Sequence, residues 1–179
     1  DACLGQNAAT TAKEMGVIVV RKDLWKKRAK SQRTYLESIF GIKLTSDYTS
    51  RERFALNYYN KIMPFVYTEF LGILGFFKYI FGWITGLFKP TYRQLRHSDM
   101  RIVVHKSAGL AAQTFMLSMA AEGYDTCPME GSDTLRIKKI LNLPYSCEIN
   151  MVVSCGVRKP EGVYGERFRI PFENVYTRI

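Results

Sequence analysis

The sequence has only two histidines, His97 and His105, and no cluster of cysteines or carboxylates stands at ligand spacing beside them. No metal centre is expected, because transition-metal ligands come in closely spaced groups, and both histidines are read as structural or surface residues. Cysteine is scarce as well. Cys3, Cys127, Cys147 and Cys155 form neither a CxxC pair nor a dense framework, so reduced thiols in a cytoplasmic setting are expected. No Ser/His/Asp or Cys/His constellation is present to support nucleophilic hydrolysis. Acid is the minority charge, with 16 Asp and Glu against 26 Lys and Arg, giving a formal net charge of +10. Such an excess attracts phosphate-bearing ligands, nucleic acid or an anionic membrane. Nucleic acid is the poorest of the three, since neither zinc-finger spacing nor an aromatic-interleaved basic motif accompanies the charge. A basic segment followed by an apolar run and a cleavage site is also missing, so no secretory signal is expected.

With 179 residues, 47% of them hydrophobic, the chain can bury a core and is read as one domain, 1–179. The stretch from Gly123 to Leu143 says most about chemistry. It reads as a tight loop containing Pro128 and Gly131 that runs into a helix, with Ser132 or Asp133 as cap and Leu135, Ile137, Ile140 and Leu141 at helical spacing. A loop feeding a helix N-terminus gathers backbone N–H groups that suit an electron-rich or anionic partner.

Elsewhere, Gln6 to Glu14 is Ala/Thr-rich and predicts a helix, and Gly16 to Val20 predicts a buried strand. Seven basic residues fall between Arg21 and Arg33, where Asp23 can cap a helix. This run is either a solvated helix face or a surface for anionic lipid or the phosphates of a nicotinamide cofactor. Phe40 to Ser50 is turn-rich and predicts a loop, and Arg51 to Met63 predicts a helix. Ser107 to Ala121 carries small and bulky apolar residues on more than one side, which predicts a buried helix. Cys147 to Val157 predicts a buried strand. Near the C-terminus, alternation would put Arg167 and Arg169 on one side of an extended segment, where two forked donors make a phosphate clamp.

Pro64 to Phe88 holds twenty-five residues with Glu69 and Lys78 as the only charges. Its length and apolarity qualify it as a membrane-span candidate. A single crossing would, however, separate the strand at Val17 to Val20 from the later half of the same domain. An excursion that returns to the same side is expected instead, a hairpin of two short helices turned at Gly72 and Gly75. Tyr67, Tyr79 and Trp83, with the flanking Lys61, Lys89, Arg93 and Arg96, suit a monotopic membrane contact. A buried helical lid or dimer contact would hide the same side chains. Gly82 and Gly86 form a GxxxG that either arrangement accommodates.

The order of the Ala-rich helix, Gly123, Pro128-Met129-Glu130-Gly131, a short helix ending at Leu143-Pro144, an apolar strand and Arg167-Phe168-Arg169-Ile170-Pro171 resembles the C-terminal half of the FMN-dependent nitroreductase family over roughly seventy residues. The resemblance implies an α+β fold, a central mixed or antiparallel sheet wrapped by helices, in an intertwined homodimer with the Ala-rich helix at its interface. It implies that Pro128, Met129, Glu130 and Gly131 lie against FMN, with the Glu130 amide toward flavin N5, and that Arg167 and Arg169 hold the phosphate. The Glu130 carboxylate lines the pocket or caps nearby amides. It further implies NAD(P)H as electron donor, a small hydrophobic acceptor such as a quinone or nitroaromatic, and an apolar insertion at about 64–90 beside the substrate. The family's arginine-rich first helix and Asn/Gln-containing segment find no counterpart, so an N-terminal portion is expected to be absent, through truncation or loss. A degenerate, non-enzymatic relative acting as a membrane-associated binding module is the competing expectation. The localisation expected is cytoplasmic, with a peripheral site on the inner face of a membrane.

Overall fold

Ile149, Met151, Val152 and Val153 are apolar and three of the four are β-branched, a composition suited to a strand covered on both faces. They form the body of β3 (Glu148–Gly156), the middle strand of an antiparallel sheet in which β1 (Glu14–Val20) lies on one side and β2 (Asp125–Met129) on the other. The computed structural model describes every residue from Asp1 to Ile179. Seven α-helices complete it: α1 (Asn7–Thr11), α2 (Trp25–Phe40), α3 (Ser50–Asn57), α4 (Met63–Tyr67), α5 (Ile73–Phe88), α6 (His97–Ala121) and α7 (Thr134–Ile140).

A bulge in β3 decides what each face of the sheet presents. Ile18 pairs with Met151 and Val19 with Ile149, leaving Asn150 as the extra residue. Ile149 and Val152, three apart, can therefore face the same way. They join Cys3, Met129 and Ile137 in the core, with Ala2, Ala8, Ala9, Val17, Val19 and Leu143 packed around them. Glu148 and Asn150 both reach His105 of α6 on the other face. The sheet is thus held between α7 with the N-terminal turn and the long α6.

Several expectations are corrected. Residues 125 to 129 are strand rather than loop, because the free edge of β3 pairs with them; Pro128 is tolerated there since an edge strand can spare one N–H. The Ala-rich helix begins at His97, ten residues earlier than expected, where the Asp99 carboxylate accepts the Arg96 amide at 2.9 Å. It is also far from buried: Ala112 alone is, because a three-stranded sheet cannot cover both sides of a 25-residue helix. Asp23 does not cap α2. It pairs with Arg21 at 2.9 Å, and α2 starts after the 3-10 turn Lys22–Leu24 without a side-chain cap. Arg167 and Arg169 lie in irregular chain rather than in a strand.

The apolar stretch does turn back on itself, but at one glycine. Leu71 and Gly72 take φ of 51° and 80°, and α5 follows, with Gly75 inside it. Before the turn, the helix from Ser50 widens into a π-turn at Tyr58–Ile62, where the Met63 amide reaches back to Tyr58. Pro64, which lacks an N–H, follows at once, and an interruption there is what its ring requires. Gly82 and Gly86 pack on the chain's own returning segment. A Cβ at Gly82 would stand 3.0 Å from Leu95 Cδ1, and one at Gly86 would stand 2.6 Å from the Arg93 guanidinium. No helix is long and apolar enough to cross a membrane.

Candidate active site

β2 ends at Met129, which is 2% exposed and anchors the next residues in the core. The chain leaves the sheet through Glu130, Gly131 and Ser132 and enters α7 at Asp133. The Asp133 carboxylate accepts the amides of Leu135 and Arg136, both at 3.1 Å, so of the two caps the sequence offered, Ser132 and Asp133, it is Asp133 that closes the helix. The N-terminal turn grips the same loop. Asp133 donates its own amide to the Ala2 carbonyl at 2.7 Å, and Gln6 Nε2 donates to the Gly131 carbonyl at 2.7 Å. Three attachments, at the core, the cap and the N-terminal turn, leave Glu130 exposed on a fixed backbone. Ser132 Oγ is buried next to it with no hydrogen-bond partner.

Pro128, Met129, Glu130 and Gly131 thus form one segment at the rim of the sheet, with Pro128 opposite Val153. Arg167 and Arg169 lie in the exposed C-terminal tail, where Arg169 Nη1 donates to the Phe168 carbonyl at 2.9 Å. The tail connects to the loop through α1: Asn7 Nδ2 donates to the Tyr164 hydroxyl at 2.9 Å, one residue from the glutamine that holds Gly131. Gln6 and Asn7 were not singled out from the sequence. Two adjacent amide side chains ahead of an Ala/Thr run were the available signal.

A second polar cluster, also unanticipated, lies where the central strand β3 begins. Glu148 accepts from Lys22 at 2.6 Å, from His105 Nε2 at 3.0 Å and from Arg101. Asn150, freed by the bulge, meets His105 Nδ1 at 3.0 Å. Burial pushes the Glu148 carboxyl upward, but the hydrogen bonds from Lys22, His105 and Arg101 prevail and hold it down at about 2. Beside this cluster is a cleft of 310 Å³ whose lining includes Lys22, Trp25, Lys26, Tyr67 and Arg101. A separate groove of 440 Å³ under α5 is lined almost wholly by apolar side chains, among them Ile62, Phe65, Phe81, Tyr92 and Leu95.

An antiparallel sheet between helical layers, with a capped loop at the rim joined to both chain ends, defines an α+β domain. The sequence model of the Nitroreductase family matches residues 8–157, and the chain belongs to that family. Two solved structures share the fold. YdfN of Bacillus subtilis, provisionally named a nitroreductase, is 24% identical with a TM-score of 0.64, the match covering 99% of this chain and 69% of that one. A nitroreductase family protein from Streptococcus pneumoniae TIGR4 is 14% identical with a TM-score of 0.58, covering 95% and 66%. Among curated proteins, MhqN of Bacillus subtilis (strain 168), provisionally named an NAD(P)H nitroreductase, is 39% identical over 66 residues, which is 37% of this chain and 32% of MhqN. DrgA of Synechocystis sp. is 37% identical over 62 residues, 35% of this chain and 29% of that protein. The matched stretch therefore spans about a third of either curated relative.

Proposed function

We propose that the protein is an FMN-dependent NAD(P)H oxidoreductase of nitroreductase type that passes electrons to a small hydrophobic acceptor, a quinone or nitroaromatic. The observation that carries this reading is the loop from Met129 to Ser132, held from the core, from the Asp133 cap and by Gln6. Its residues fit a flavin. The buried Ser132 hydroxyl lacks a partner, a costly state that a ligand rich in ring nitrogens and carbonyls relieves. Gly131 presents no side chain, and a Cβ there would meet only Gln6 Nε2, at 3.8 Å.

In this reading the backbone of Pro128 to Gly131 lies against the flavin ring, with the Glu130 amide as donor, while Arg167 and Arg169 bind its phosphate. FMN supplies the hydride chemistry when bound, and the protein's part is to bind, orient and shield it. Met129 fixes the height of the loop by packing against Ile137 and Val152. The Asp133 cap fixes its exit direction. The basic cleft at Lys22, Lys26 and Arg101 suits the phosphates of NAD(P)H, and the apolar groove suits the acceptor. A homodimer through α6 accounts for Leu110 and Leu117, which are 72% and 61% exposed on a helix otherwise rich in small residues.

The test is oxidation of NADH and NADPH by the purified protein supplied with FMN and a soluble quinone. Turnover that requires FMN, and falls at least tenfold on Gln6→Ala while the far-ultraviolet circular dichroism is unchanged, is the expected result. FMN-independent or absent turnover would refute the reading and favour a binding module without catalysis.

A further inference from the structure

The outward half of α5 is built for something other than water. At 100° per residue, Gly75, Lys78, Tyr79, Gly82, Thr85 and Gly86 gather on one side of the helix. That side faces the protein: Gly75 and Gly82 are buried, and Gly86 lies under the Arg93 guanidinium. The opposite side consists of Ile73, Phe77, Ile80, Phe81, Ile84, Leu87 and Phe88. These seven residues are 37% to 84% exposed, and Leu71 at the preceding turn is 83% exposed. Polarity is inverted relative to an ordinary surface helix, whose polar face is the outer one.

Both charges of the stretch are also turned inward. Lys78 reaches back to the carbonyls of Val66 and Thr68, closing the end of α4, and burial lowers its pKa. Glu69 Oε1 accepts the Phe70 amide at 2.9 Å. Lys89, exposed at the C-terminal end of α5, is the cation that adjoins this face, while Arg93, which donates to the Gly86 carbonyl, and Arg96, 3.7 Å over the Tyr79 ring, lie on the protein side of the helix. The chain as a whole carries a formal net charge of +10. An anionic surface would gain from the same charges.

We propose that α5 with the Leu71 turn is an interfacial anchor that lies flat on an anionic lipid bilayer. Phe77, Ile80, Ile84 and Leu87 enter the acyl boundary, and Lys89 meets the headgroups. At 16 residues, α5 rests in the interface without spanning it. The proposal does not depend on flavin binding.

The experiment is cosedimentation of the full chain with phosphatidylcholine vesicles, either pure or containing about 30% phosphatidylglycerol, with the fluorescence of Trp25 and Trp83 read in parallel. The protein is expected to bind the anionic vesicles with a blue shift and to leave them as salt rises. Phe77→Glu combined with Ile84→Glu should lower the partition coefficient at least tenfold. Both side chains are exposed, so the fold should persist, and circular dichroism checks this. Lys89→Glu should weaken binding to the anionic vesicles by about fivefold or more and leave neutral vesicles unaffected. Failure of the parent protein to bind, equal binding to neutral and anionic vesicles, or a dimer that the double variant dissociates without any vesicle binding would each overturn the proposal.

Discussion

Replacing Glu148 by Gln tests the ion cluster that ties the 3-10 turn Lys22–Leu24, α6 and β3 together. The substitution keeps the shape of the side chain and removes its charge, leaving Lys22 and Arg101 without their shared partner. In the folded protein this carboxyl is held at about 2, against 4.5 for an unperturbed glutamate. That difference corresponds to about 3 kcal/mol, and because the Arg101 side chain is 63% exposed, screening brings the expected loss to about 2 kcal/mol. The sign follows from linkage. A carboxyl whose folded pKa is depressed contributes its full stability above the unfolded value, near 4.5, and loses it progressively as pH falls toward 2. Urea unfolding at a series of pH values measures this. At pH 7 the variant should be less stable by about 2 kcal/mol, equivalent to a fall of about 4 to 8 °C in Tm for a chain of this size. The gap should close between about pH 4.5 and pH 2. Parallel curves for the two proteins over that range, or equal stability at pH 7, would refute the reasoning.

Other predictions concern the turn and the loop. Gly72→Ala places a side chain at φ 80° and should cost about 1 kcal/mol, read as a lowered Tm. Gly75→Ala should cost about 1 to 3 kcal/mol, because its Cβ would come within 3.0 Å of the His97 amide nitrogen, a backbone atom with little room to move. Asp133→Ala removes the cap of α7 and should cost about 1 kcal/mol; if the loop holds FMN, a fluorescence titration should also show weaker binding. Thr49→Ala breaks the capping box with Glu52 at the start of α3 and should cost a similar amount, about 1 kcal/mol, without touching FMN affinity.

How far the sequence could be read depended on whether the signal was local. β1, β3, the Asp133 cap and the turn at Gly72 rest on apolar runs, a capping residue and a glycine, and all were legible. The strand at Asp125 to Met129 was not, because Pro128 and Gly123 speak locally for a turn and only pairing with β3 overrides them. The early start of α6 was hidden in a basic segment in which Arg101 pairs with a distant partner, Glu148. Its exposure was misjudged for a related reason: composition shows that a helix has apolar faces, while the width of the sheet decides how many are covered. The bulge at Asn150, which joins His105 to the central strand, leaves no mark in the residue pattern. At the candidate site, residues 128 to 131 were legible as one segment through family resemblance. The role of Gln6 was not, since it depends on a contact between residues 125 positions apart.

The visible absorption spectrum of the purified polypeptide, taken after incubation with FMN and removal of the unbound cofactor, bears most directly on the central claim. The account predicts a retained band near ~450 nm, where oxidised flavin absorbs, that bleaches when NADH or NADPH is added under anaerobic conditions. A colourless protein, or a retained band that neither nicotinamide nucleotide bleaches, would contradict it.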